Sequence, residues 1–482
     1  MLFRGGMMLD KYDVVIGLEI HAQLITESKC FSPAVAQFGD SPNQNVSFIC
    51  AGYPGTLPSL NKEVVEKAVI TSLALNCELQ KVSCFARKQY FYPDMPKGYQ
   101  ISQYSEPVAL GGRVSFYLNG EKKQVSLERA HIEEDAGKST HFGQYTLIDL
   151  NRAGTPLLEI VSRPEISSPQ EAAAYAKAVR QILRYNNVCD GNLEQGSLRC
   201  DCNVSLKPKG QKELGTKVEL KNINSFRFIE KALEYEILRQ AQCLELGEGI
   251  VQETRLYDAT KNKTFSMRKK EEANDYRYFP DPDLTPLVLD DEMILKARTS
   301  LAELPTDRLD RFVTQYGLSF QDAELLVGEK ELADFFESIT QKTQDPKLTC
   351  NWIVGEFLRL TNEHQMSIEK RPVDDDHFAQ LLLLIMRREI SGKMGKEVLE
   401  EMWSSGSSPS EIMARKGLSQ ITDEAVLQRL VIKVLNEHPG NVAEFRAGKE
   451  KLFGFFVGQV MKLSQGQANP EIVNQLLKEN LK

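Results

Sequence analysis

The stretch Val14-Val15-Ile16-Gly17-Leu18-Glu19-Ile20-His21-Ala22-Gln23-Leu24 decides the fold class. Ile16, Leu18, Ile20, Ala22 and Leu24 fall on one side of it, and Gly17, Glu19, His21 and Gln23 on the other. A period of two is that of a β-strand. One face is fit for burial and the other presents a carboxylate and an imidazole, as in an antiparallel sheet covered on one side. Residues 199–206 repeat the pattern, with Arg199, Asp201, Asn203 and Ser205 on the polar face and Cys200 and Cys202 on the face expected in the core. Residues 217–221 place Lys217, Glu219 and Lys221 together.

Working outward, residues up to about 292 mix such strands with helices. Ser168 as cap, Pro169 in the first turn and Glu171 completing a capping box predict a helix, whose apolar stripe is Ala172, Tyr175, Ala176, Val179, Ile182 and Leu183. Two prolines among acids at 279–283 mark a domain edge, and helical periodicity dominates beyond it. Ser404-Ser405-Gly406-Ser407-Ser408-Pro409 reads as a linker to a small tail, whose last helix has Asn469 as cap and Pro470 in its first turn. The expected architecture is α+β: an N-terminal domain around a mostly antiparallel sheet (1–292), an all-helical domain (293–405) and a helical tail (406–482).

The composition sets bounds on this reading. No run approaches the roughly 18 apolar residues of a membrane span, and the first residues are too short an apolar stretch for a signal peptide, so a cytoplasmic protein without a membrane partner is expected. Met7 and Met8 leave the start open. The nine cysteines are scattered without a CxxC pair, which fits a reducing compartment rather than a disulfide framework. A net charge of -8 disfavours a phosphate-rich partner, although the chain from Glu411 onward carries ten Lys/Arg against eight Asp/Glu.

Neither a P-loop nor a GxGxxG turn is present, so a nucleotide would be held in some other way. The polar groups lie instead on several strands. Glu19 and His21, two apart, are a workable pair of metal ligands, although spacing alone favours a surface or cross-strand ion pair. His131-Ile132-Glu133-Glu134-Asp135-Ala136-Gly137 offers carboxylates of the kind that bind Mg²⁺, or an acidic turn. Alternation groups Glu133 with His131 but does not decide which acid faces a site. Asn222, Asn224 and Ser225 serve either a ligand or the cap of the next helix. Residues 87–97 interleave cations with Tyr90, Phe91 and Tyr92, which suits phosphate contact and base stacking, or an ordinary packed loop. Together these supply acids for a metal and cations for phosphates, which is what phosphoryl transfer requires.

The segments VIGLEIHAQL (15–24), KQYFYPDMPKGYQIS (88–102), HIEEDAGKS (131–139), DLNRAGTPLLEIVS (149–162), GSLRCDCN (196–203), GTKVELKNINSF (215–226), DYRYFPDPDL (275–284) and GFFVGQVMKLSQGQANP (454–470) run through nearly the whole chain. In this order they resemble the B subunits of the tRNA-dependent amidotransferases that are built from three different subunits. The resemblance implies a cradle-shaped kinase and transamidase domain, followed by a helical domain and a tail that grip tRNA. It implies that ATP and Mg²⁺ activate the side-chain carboxylate of misacylated Glu-tRNA(Gln) or Asp-tRNA(Asn). Ammonia from the glutaminase (amidase) A subunit would then form the amide, with a small C subunit to complete a heterotrimer. The catalytic and metal positions it implies are Glu19, His21, Glu134 and Glu219, with Glu133 as the alternative to Glu134. Lys88 and Lys97 would meet phosphate or the activated carboxylate. Ser102, Asn151, Thr155, Glu159, Arg199, Asp201, Asn203, Lys217, Asn222 and Arg277 would line the cavity. Relatives of this kind often carry a zinc-binding cysteine cluster, but Ser32 and Ala34 stand at two of its positions and only Cys50 remains, so no structural zinc is expected. Two rival readings are a tRNA-binding scaffold without chemistry of its own and a metal-dependent hydrolase built on Glu19 and His21.

Overall fold

A computed structural model describes residues 8–269, 276–417, 423–464 and 467–481. Met7, one of the two alternative starts, lies outside the described residues. The chain divides into two compact units, Met1–Arg308 and Leu309–Lys482.

The first unit is built on a ten-stranded sheet. Its central strands are β1 (Tyr12–Gln23), β2 (Glu121–Glu134), β3 (Pro156–Ser162), β4 (Leu198–Pro208), β5 (Val218–Lys221), β6 (Glu253–Asp258) and β7 (Lys263–Lys269). They lie in the order β7-β6-β5-β4-β1-β3-β2. Every pairing among them is antiparallel except β5 with β6. β1, whose alternation is the most regular, sits in the middle.

Alternation becomes layering. Ile16, Leu18, Ile20 and Ala22 of β1 are all but fully buried, as are Cys200 and Cys202 of β4 and Leu158 and Ile160 of β3. This face packs on helices α1 (Pro169–Tyr185) and α2 (Phe226–Glu245). Each large aliphatic side chain buried there contributes about 2 kcal/mol. α1 starts at the predicted cap, Ser168 Oγ accepting from the Glu171 N–H at 3.2 Å. The predicted capping box is not formed. The Glu171 carboxylate reaches one residue further back and accepts from the N–H and hydroxyl of Ser167 at 2.8 and 2.9 Å.

Phe279–Pro280 was expected at a domain edge and instead forms a strand beside Ala86–Gln89, which in turn pairs with Tyr99–Ser102. Arg87 ties it down through Asp281 (2.9 Å) and Asp283 (2.6 Å). This small sheet brings residues 86–102 and 276–283 together.

The second unit is helical. Phe335, Phe357, Phe378 and Trp403 interlock at its centre, with ring centroids 4.6 to 5.3 Å apart. A separate cluster of Leu427, Val431, Val434, Phe456, Val460, Val473 and Leu477 forms the core of the tail. The stretch read as a linker is a tight turn. Gly406 ends one helix with φ 68°, and Ser408 begins the next with a capping box to Glu411. Small residues and glycine here supply caps rather than flexibility. Among the described residues no helix is long and apolar enough to cross a membrane.

Candidate active site

The polar face of the sheet carries the site. Register aligns His131 of β2, Glu159 of β3, His21 of β1 and Arg199 of β4 as consecutive cross-strand neighbours. The adjoining row runs from Glu19 to Asp201, and the next from Gly17 through Asn203 and Glu219 to Thr254. Cross-strand neighbours project to the same face, so polar side chains from several strands share one surface.

At its centre, His21 Nε2 lies 3.6 Å from Glu133 Oε1 and 3.5 Å from Glu159 Oε2. His131 Nε2 approaches the same two carboxylates, at 3.1 Å from Glu159 Oε2 and 3.8 Å from Glu133 Oε2. Burial pulls His21 down, but Glu159 and Glu133 outweigh it and lift the imidazole to about 9. Burial opposes ionisation of Glu159 too, yet His131 and His21 hold it well below the usual carboxylate range. Burial, Glu159, Glu219 and Asp201 together push Glu19 up. Among the described residues, His21, Glu133 and Glu159 are the one group whose donor atoms converge closely enough to hold a metal ion. One imidazole and two carboxylates fit a divalent cation that keeps water in its remaining positions, as Mg²⁺ does.

The other predicted residues fall into several places. Glu134 projects to the opposite side of β2 from Glu133, because the strand keeps its alternation to the end. There it takes the Lys97 ammonium and the Ile101 N–H. The structure therefore gathers Glu133, the alternative acid, with His21 and turns Glu134 away to Lys97. Ser102 donates to Glu133 at 3.4 Å. Lys88 is half-buried, with its Nζ 4.7 Å from the centroid of the Tyr276 ring. Burial lowers its pKa, but Tyr278, Glu133 and Glu159 outweigh that and keep it charged.

Asn203 donates to Glu19 at 2.8 Å, and Asp201 takes the Lys221 ammonium. Glu219 accepts from Thr254 at 2.7 Å and lies outside the converging trio. Arg199 reaches Asp135 at 2.9 Å, where Gln23 also donates. Lys217 is exposed on the wall of a cavity of about 540 Å³ that Glu19 and Asn203 also line. Three residues are engaged elsewhere. Asn151 holds the loop at 41–45, accepting from the Asn45 N–H at 2.8 Å. Asn222, at φ 66°, donates to the Tyr257 carbonyl as a turn residue. Arg277 lies over the Phe91 ring at 5.5 Å. The Thr155 backbone brackets the acidic run, its carbonyl accepting from the Asp135 N–H.

Sequence reasoning gave no site role to His131, Lys221, Tyr276 or Tyr278, and read Asp135 only as one of three consecutive acids able to hold Mg²⁺, whereas it pairs with Arg199. For His131 the signal was present, since it shares alternation parity with Glu133. Lys221 shares a face with Glu219 by the same rule.

Fold and site together define a class: an α+β protein whose charged sheet face can hold a divalent cation beside half-buried cations, followed by a helical region. The family model for the GatB/GatE catalytic domain matches residues 14–295, and that for the GatB domain matches 334–481. The aspartyl/glutamyl-tRNA(Asn/Gln) amidotransferase B subunit of Bdellovibrio bacteriovorus is 53% identical over 472 residues, covering 98% of this chain and 99% of that one. The proteins of the same name from Persephonella marina and Thermodesulfovibrio yellowstonii are each 52% identical over 473 residues, covering 98% of this chain and 100% of theirs. The chain belongs to the family of aspartyl/glutamyl-tRNA(Asn/Gln) amidotransferase B subunits, ligases of tRNA-dependent amidation.

Proposed function

We propose that this protein activates the side-chain carboxylate of misacylated Glu-tRNA(Gln) or Asp-tRNA(Asn) with ATP and then amidates it. The observation that carries the reading is the convergence of His21, Glu133 and Glu159 on one sheet face, with the half-buried Lys88 ammonium held charged by Glu133 and Glu159. Activation is required because a carboxylate is a poor electrophile. The γ-phosphoryl group passes to a carboxylate oxygen, ADP leaves, and the product is an acyl phosphate. Ammonia then attacks the carbonyl carbon, the bond to phosphate breaks, and the nitrogen loses a proton to leave the amide.

His21, Glu133 and Glu159 would hold Mg²⁺, which neutralises charge on the transferring phosphoryl group. Lys88 orients the anionic end of the substrate, and Arg199, anchored on Asp135, closes the opposite side of the row. Glu19 and Asn203 border the neighbouring cavity. The glutaminase A subunit supplies the ammonia, and a small C subunit joins the two in a cytoplasmic heterotrimer. We further propose that no structural zinc is held near Cys50. Its thiol is enclosed by the Ser32 and Ser47 hydroxyls at 3.3 and 3.2 Å and by the Lys29 ammonium. Stoichiometric zinc in the purified complex would overturn that.

The test uses the complex with Glu-tRNA(Gln) or Asp-tRNA(Asn), glutamine, Mg²⁺ and γ-labelled ATP. ATP-dependent amide formation and phosphate release, both lost in Glu159→Gln while tRNA still binds, are expected. Amidation undiminished in Glu159→Gln and Glu133→Gln would move the chemistry away from this face and favour the scaffold reading.

A further inference from the structure

We propose that His131 is a positioning residue of the candidate metal centre, fixing Glu159 and Glu133 from the buried side so that their outer edges and His21 are presented to the cation. The inference rests on the reading of His21, Glu133 and Glu159 as metal ligands.

The two histidines grip the same pair of carboxylates but are not equivalent. The side chains of His21 and Glu159 keep 18% and 15% of their surface exposed, whereas those of His131 and Glu133 keep 3% and 5%. His21 is therefore the outer imidazole and His131 the inner one. His131 stands outside the group whose donor atoms converge, so it does not complete the same coordination sphere. It is bound to that group through Glu159, its cross-strand partner, with Nε2 at 3.1 Å from Oε2. Its other nitrogen, Nδ1, is buried with no hydrogen-bond partner among the described residues. The ring's polar contacts thus all run through Nε2 to the two carboxylates. A histidine that merely filled the core would gain by pairing Nδ1, since an unpaired buried polar atom is costly. Two carboxylates held a few ångströms apart repel, and an imidazole nitrogen packed 3.1 Å from one and 3.8 Å from the other fixes their spacing before a cation arrives. Outer partners of this kind commonly set metal affinity by 10- to 100-fold.

The test is Mn²⁺ binding to the full-length chain in its complex, followed by electron paramagnetic resonance without nucleotide or tRNA. His131→Leu is expected to weaken Mn²⁺ binding by roughly 10- to 100-fold. His131→Gln, whose amide nitrogen can reach the Nε2 position, should restore it to within a few-fold of wild type. His131→Asn, whose shorter amide cannot, should not. The Gln and Asn pair keeps the comparison open if the leucine variant does not fold. Equal Mn²⁺ affinity in wild type and His131→Asn, or no rescue by Gln, would overturn the inference while leaving the metal reading intact. Mn²⁺ binding unchanged in both Glu133→Gln and Glu159→Gln would instead overturn the metal reading, and this inference with it.

Discussion

At the scale of single residues, the buried charges behave differently from one another. Lys29 is wholly buried, and its ammonium donates to the carbonyls of Ala153 at 2.7 Å and Leu150 at 3.2 Å. Lys29→Met would leave the Ala153 carbonyl without its donor, while the Leu150 carbonyl keeps the Ala153 N–H and the Cys50 thiol keeps Ser32 and Ser47. We expect a loss of about 3 kcal/mol, read as a shift in the urea midpoint at unchanged slope. Asp135 is the acidic counterpart. Burial would raise its pKa, but Arg199, Arg152 and Gln23 outweigh that and hold it below the ordinary value. A carboxyl depressed in the folded state contributes stability above its unfolded pKa of about 3.9, and loses it as pH falls through the lower folded value. Asp135→Asn should therefore be less stable than wild type at neutral pH, with the gap closing below about pH 4. A gap that stays constant from neutral pH down to about pH 3 would show that Asp135 acts by shape rather than charge.

At the scale of elements, backbone contacts set what the strands can present. A Cβ on Gly215 would meet the Leu206 carbonyl oxygen at 2.0 Å. Only glycine lets the segment before β5 lie against β4 and place Lys217 on the cavity wall. Gly215→Ala should destabilise by about 1–3 kcal/mol and raise KM more than it lowers kcat. Unchanged kinetics in a folded variant would remove Lys217 and its cavity from the reaction. The cap of α1 is a smaller matter. Ser168→Ala should cost about 1 kcal/mol without touching activity. Element identity was largely legible, because period two in β1 and the Ser168-Pro169 start of α1 are local properties. The apparent linker at 404–409 was not, since the same residues serve as linker or caps and only the flanking helices decide between them.

At the scale of the whole molecule, the two units have separate cores, and unfolding need not be a single transition. Trp352 and Trp403, the two tryptophans of the chain, both lie in the second unit, so indole fluorescence reports on that unit alone. Ile339, fully buried there, should cost about 2–5 kcal/mol when changed to Ala. The fluorescence transition should move by that amount while Mn²⁺ binding to the first unit stays as in wild type. Loss of both together would show that the units unfold as one.

The sequence by itself determined the alternation that gives the sheet a polar face, the helices that cover its other side, and the family motifs that name the chemistry. Strand period and helix capping depend on residues a few positions apart, so they can be read locally. Only the tertiary structure decided that His21 meets Glu133 rather than Glu134, that Glu159 and His131 join them, and that Arg199 rests on Asp135. Those meetings depend on the register of strands far apart in the chain. A slip of one residue in that register would turn every one of these side chains to the opposite face.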